Sequence, residues 1–168
     1  MVERVTFPRI VAALVALLAV LFAVGWATRQ DPSDKPYLKI VGGGFVYNFR
    51  IAEVFYGFTA LVVRPLSSGS VIEATFDDPG GGDPLVVRER VSTMTDRYSL
   101  RSPPVRGVVK DKVYKVAIRV LDREEKYEIW GSTLDYRSQI DDTVVPEKPL
   151  TIGPGYQLNP DAEENKNG

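Results

Sequence analysis

The sequence predicts a mainly β protein, an antiparallel two-sheet sandwich preceded by one transmembrane α-helix near the N-terminus. Three observations carry this reading. From Ile10 to Ala27 the chain reads IVAALVALLAVLFAVGWA, 18 residues without a charge. After Tyr37 the apolar residues recur with a period of two, in short runs separated by Gly, Pro, Asp and Ser. Between the apolar segment and the ragged C-terminus lie about 130 residues, the usual size of one domain with its own core.

The apolar segment comes first. As a helix it rises ~27 Å, close to the hydrocarbon thickness of a bilayer. Arg9 and Arg29 bracket it, and Trp26 stands near one end, where an indole suits the headgroup region. Eighteen uniformly apolar residues leave no polar face for water, which disfavours a core helix of a soluble protein. The competing reading is a cleaved secretory signal. Arg4 and Arg9 supply a positive arm, and Gly25-Trp26-Ala27 places small residues correctly for a cut before Thr28. An apolar core longer than the usual 7–15 residues favours retention as an anchor. Basic residues flank the segment on both sides (Arg4 and Arg9, then Arg29, Lys35 and Lys39), so their count does not orient it. A short arm before a signal-like helix places residues 1–9 in the cytoplasm and the long domain outside. With no Asn-x-Ser/Thr acceptor and no cysteine, the expected location is the bacterial inner membrane, single-pass, with the C-terminal domain in the periplasm. The alternative is secretion after cleavage. Residues 28–36 (TRQDPSDKP) read as a polar linker.

Residues 37–140 hold the predicted strands. Residues 45–51 align Phe45, Tyr47, Phe49 and Ile51 against Asn48 and Arg50. Residues 55–63 are apolar on both faces, as in a central strand, with a short helical turn over 51–56 as the alternative. Val71–Phe76 sets Ile72, Ala74 and Phe76 inward and Glu73 and Thr75 outward, and residues 85–91 show Arg88 and Arg90 to solvent. Val113–Leu121 has the clearest alternation, with Tyr114, Val116, Ile118 and Val120 on one face and Lys115 and Arg119 on the other. The next run turns Tyr127 and Ile129 inward and Trp130 outward, and continues toward Tyr136. Seven or eight short strands need a second sheet to bury their apolar faces, which a sandwich supplies. The stretch KVYKVAIRVLDREEKYEIW, with its Tyr-x-Val-x-Ile-x-Val alternation, resembles the final hairpin of immunoglobulin-like or fibronectin type III-like domains. That resemblance implies the sandwich and no function.

Residues 141–160 carry four prolines and two glycines, which oppose regular helix and most ladder pairing, yet also Val144, Val145, Leu150, Ile152, Tyr156 and Leu158. A segment needing only reach would not use so many apolar groups. Residues 161–168 are polar and read as a disordered end.

The chain contains no histidine and no cysteine. This removes the commonest general base, the commonest transition-metal ligand, thiolate nucleophiles and disulfides. Net charge is −1, and no stripe of Lys and Arg runs without interspersed acids, which argues against a nucleic-acid surface. Asp77, Asp78 and Asp83 could offer carboxylates to calcium, but Asp-Asp-Pro-Gly-Gly-Gly-Asp is also what a hairpin connection uses, and its spacing departs from the EF-hand loop. Gly42-Gly43-Gly44 lacks the Lys-Ser/Thr ending of a phosphate loop and reads as a bulge, a strand break or a close backbone approach. Asp135, Asp141 and Asp142 read as strand-end and loop solvation. No catalytic residue and no cofactor site is nameable. An outward Trp130, with Leu150, Ile152, Tyr156 and Leu158 of the tail, forms the candidate partner-binding set. The function these features favour is protein binding by a membrane-anchored, envelope-exposed domain, an accessory, scaffold or assembly component of a membrane-associated complex. A periplasmic carbohydrate- or calcium-binding module is the alternative, and a His- and Cys-free hydrolase comes last.

Overall fold

The structure, a computed structural model, describes residues 7–28 and 35–163. The chain divides into two compact units, residues 1–35 and 36–168. The first contains α1 (Phe7–Ala27), a 21-residue helix long and apolar enough to cross a membrane or to serve as a signal, with none of its residues buried. It begins three residues before the uncharged run, because Pro8 in the first turn has a pre-set φ and needs no amide partner there. At its end Thr28 returns both its amide and its hydroxyl to the Val24 carbonyl, at 2.9 and 2.8 Å. Most of the predicted cytoplasmic arm, most of the predicted linker and residues 164–168 of the predicted disordered end lie outside the described residues.

The second unit is mainly β, built from β1 (Leu38–Asn48), β2 (Glu53–Val62), β3 (Val71–Phe76), β4 (Leu85–Arg90), β5 (Arg97–Arg101), β6 (Val113–Leu121) and β7 (Glu128–Arg137). They form two antiparallel sheets, of order β1-β2-β5 and β4-β3-β6-β7. Alternation sends Val54, Tyr56, Phe58 and Ala60 of β2, and Tyr114, Val116, Ile118 and Val120 of β6, into one buried core between the sheets. Tyr56 sits at its centre. Its ring stacks on Phe45 at 4.6 Å and meets Phe76 of the opposite sheet edge-on at 5.2 Å, an arrangement favoured by the ring quadrupoles. Its hydroxyl donates to the Asp77 carbonyl at 2.5 Å. Burial, with Asp77 and Asp78 nearby, raises its pKa.

Several expectations are corrected. β1 ends at Asn48, so Phe49 and Ile51 leave the strand for a turn and are exposed, and residues 53–56 are strand rather than helical turn. β5 has too few apolar residues, Tyr98 and Leu100 alone, to declare itself by alternation. In β7 the register slips: Val120 pairs with Trp130 but Leu121 with Glu128, leaving Ile129 as the extra residue of a bulge. One extra residue exchanges the faces. Trp130, Leu134 and Tyr136 therefore pack against the core, while Tyr127 and Ile129 face out.

Glu73 is the largest departure. It is 1% exposed, although alternation directs it to solvent. β3 has neighbours on both sides, and Arg88 from β4 and Arg119 from β6 fold over the carboxylate, Arg88 Nε at 2.7 Å and Arg119 through Nε and Nη2. Glu125 links Arg88 to Arg90, and Glu128 lies beside Arg119. Burial alone would raise the Glu73 pKa. The hydrogen bonds and charges of Arg119 and Arg88 outweigh it, and the net shift is downward.

Candidate protein-binding surface

The predicted tail pairs as a ladder over two short strands, Thr151–Ile152 with Gln157–Leu158. Its first part belongs to the domain. Residues 142–144 make a 3-10 turn, Val145 is buried in the core, and Asp141 and Asp142 are structural rather than merely solvated. Asp142 Oδ2 accepts the Gly107 amide at 2.6 Å and Asp141 Oδ1 the Lys110 amide at 2.7 Å, pairing donors of the loop before β6. Arg106 Nη2 adds bonds to the Ala52 and Pro146 carbonyls at 2.7 and 3.0 Å.

Beyond Pro149 the chain folds into a small hairpin, β8 (Thr151–Ile152) and β9 (Gln157–Leu158), followed by α2 (Pro160–Glu163). Gly153 and Tyr156 take positive φ, and the Tyr156 amide closes the turn on the Gly153 carbonyl at 3.2 Å. The buried Asn159 ties off the base, its side-chain amide donating to the Pro149 carbonyl at 2.7 Å and its backbone amide to Leu150 at 3.0 Å. Two contacts fasten this hairpin to the β1–β2 turn. The Thr151 amide donates to the Arg50 carbonyl at 3.1 Å, and the Arg50 guanidinium lies 5.3 Å from the Tyr156 ring centre.

The result is an apolar tip at the end of β1 opposite Leu38. Phe49 (44% exposed) and Ile51 (39%) come from the turn, and Leu150 (43%), Ile152 (43%), Tyr156 (63%) and Leu158 (75%) from the hairpin and its base. Four of these six were singled out from sequence. Phe49 and Ile51 were missed, because period two extended their strand one turn too far. Trp130 is half-buried against the core and is not part of the tip.

Two of the three carboxylates of the Asp77–Asp83 loop accept backbone amides. Asp78 accepts the Gly80 and Gly82 amides at 2.9 and 3.1 Å, the first of them an Asx-type turn, and Asp77 Oδ2 accepts the Lys115 amide of β6 at 2.8 Å. No group of three His, Cys, Asp or Glu side chains able to hold a metal ion occurs among the described residues.

No family model and no curated protein sequence matches the chain. Among solved structures, a calcium-binding mutant of β-glucuronidase 2 from Bacteroides uniformis is similar at a TM-score of 0.39 and 14% identity, over 65% of this chain and 14% of that one. Wild-type OgpA from Akkermansia muciniphila is similar at a TM-score of 0.36 and 9% identity, over 66% and 30%. The chain thus spans under a third of either, and at these TM-scores the likeness assigns neither activity nor substrate to it.

Proposed function

We propose that this chain is a single-pass protein of the bacterial inner membrane whose periplasmic domain binds another envelope protein, as an accessory or scaffold of a membrane-associated complex. The observation that carries the reading is the apolar tip. Exposed apolar groups from two distant segments are held beside one another by the Thr151–Arg50 backbone hydrogen bond, with Ile152 and Leu158 on opposite faces of the hairpin, and clustered exposed apolar residues mark interaction sites. α1 supports the membrane part, since a retained helix of that length confines the domain near membrane-bound partners. We read the domain as fibronectin type III-like or immunoglobulin-like. The strand order supports the former, because β4 pairs with β3 rather than β5 and so gives sheets of three and four with the extra strand beside β3.

The test is a photo-crosslinking amino acid placed at Tyr156 of the full-length chain in intact cells, with the same group at Thr133 on the outer face of β7 as control. A discrete adduct at 156, absent at 133 and lost when Ile152 and Leu158 are changed to Ser, is the expected result. No adduct at 156, or equal adducts at both positions, overturns the reading.

A further inference from the structure

The two ends of the β unit differ in charge. Antiparallel pairing gathers the chain entry and three connections at one end: Leu38 opposes Val62, Leu61 opposes Arg97, and Val71 opposes both Arg90 and Leu121. Hydrogen bonds tie these segments together. The Val63 amide donates to the Tyr37 carbonyl at 2.9 Å, the Val62 amide to Asp96 at 2.8 Å and the Gly69 amide to Val91 at 2.8 Å. Arg90 Nη2 meets Glu125 of the β6–β7 turn at 2.6 Å. Residues 36–39, 62–70, 90–97 and 122–127 of this entry end hold six basic and four acidic residues. The tip end, residues 49–52, 77–84, 102–112 and 138–163, holds five basic and nine acidic ones. A chain of net charge −1 therefore has a positive end where the β unit begins and a negative end at the tip, and an anionic surface attracts the first and repels the second.

Two side chains with apolar bodies project from the entry end, Met94 (90% exposed) and Tyr127 (73%). Both stand on braced turns. The buried Tyr98 hydroxyl accepts the Ser92 amide at 2.8 Å and donates to the Thr95 carbonyl at 3.1 Å, and Ser92 Oγ accepts the Met94 amide at 3.1 Å. Asp122 Oδ1 accepts the Lys126 and Tyr127 amides at 2.7 and 3.0 Å. Arg97 and Arg123 of the same end make no ion pair among the described residues. Lipid headgroups accept this composition: a phenol ring lies well at their level, and arginine buries its stem while its guanidinium reaches phosphate.

The covalent chain limits how far this end can stray. From Thr28, after α1, to Pro36, the first residue of the β unit, an extended chain spans at most about 30 Å, whatever the arrangement of the two units. We propose that the entry end rests on an anionic phospholipid surface, Met94 and Tyr127 entering the headgroup layer and Arg97 and Arg123 meeting lipid phosphates. The inference rests on the retained anchor proposed above. It adds a lipid contact made by the β unit itself, which turns the acidic tip away from the bilayer.

The chain has no cysteine, so a single introduced one can carry a probe. Full-length chains with Met94→Cys, Tyr127→Cys or, at the tip end, Asp83→Cys are labelled with the environment-sensitive dye NBD. Each is reconstituted into phosphatidylcholine vesicles with or without phosphatidylglycerol, and flotation first reports whether the vesicles hold the chain. With phosphatidylglycerol present, emission at 94 and 127 should shift to the blue. Spin-labelled headgroups should quench these two sites at least about twofold more than site 83. Added salt should reduce the difference, and so should Arg97→Glu with Arg123→Glu. In the unlabelled, unaltered chain, amide exchange over residues 92–96 and 122–127 should slow when phosphatidylglycerol is present. A chain that floats but shows equal quenching at the three sites, or the same quenching with and without phosphatidylglycerol, overturns the lipid contact and leaves the anchor standing. A chain that does not float overturns both.

Discussion

Glu73 shows how a single side chain can escape its sequence pattern. A carboxylate in the centre of a sheet face is tolerable because two half-exposed arginines supply its hydrogen bonds and keep their own far sides in water. Removing both arms, Arg88→Ala with Arg119→Ala, strands the carboxylate under the sheet's remaining side chains and should destabilise the domain by about 3–5 kcal/mol, read from the urea midpoint. Glu73→Gln, which leaves solvated arginines, should cost less, about 1–3 kcal/mol. The pH dependence has a definite sign. The folded-state pKa lies below that of the unfolded chain, so the carboxylate stabilises the fold above the unfolded value near ~4.3 and loses this contribution as pH falls through the folded value. Glu73→Gln should therefore flatten the acid limb of stability between neutral pH and pH ~2, and an unchanged acid limb would remove Glu73 from that role. At Gly43 a Cβ would collide with the Gly57 carbonyl and the Tyr136 hydroxyl. Gly43→Ala should lower stability by about 1–3 kcal/mol through that overpacking, whereas Gly42→Ala should be close to neutral.

Among the elements, the tail divides where its sequence gives no sign of a boundary. Residues 141–146 brace the core and the 107–112 loop, while residues 149–163 only rest on the β1–β2 turn. Two truncations separate these parts. Ending the chain at Lys148 should change stability by less than about 1 kcal/mol, roughly 3 °C in Tm. Ending it at Ile140 removes the buried Val145, worth about 1.5–3 kcal/mol, and two carboxylate-to-amide bonds of about 1.5–3 kcal/mol each, so a loss of at least about 4 kcal/mol is expected. Equal Tm values for the two truncations would show that residues 141–148 are not a brace. The shorter deletion, which leaves the core complete, is the one that isolates the apolar hairpin for binding experiments.

For the whole molecule, the fate of α1 decides whether the proposed binding would happen at a membrane or free in solution. A retained anchor predicts the complete 18.7 kDa chain in the membrane fraction by intact mass, resistant to alkaline carbonate extraction. A soluble species beginning at Thr28 would instead make the protein a secreted domain and remove confinement from its function. The absence of histidine and cysteine bears on the same scale, because it removes the commonest general base and the thiolate nucleophile from the chain.

By itself the sequence determined the apolar helix, the β class and the inward faces of β3 and β6, because each follows from a local regularity: an uncharged run of bilayer length, or a period of two within one segment. It also named four residues of the tip from composition alone. The tertiary structure decided what depends on pairing between distant segments. A bulge at Ile129 reversed Trp130, strands on both sides of β3 buried Glu73, and neighbours recruited β5 despite its polar sequence. The tip arises only when Thr151 bonds to Arg50, 101 residues away. Alternation fixes which side chains share a face within a strand, but only register and packing between strands fix which face meets the core.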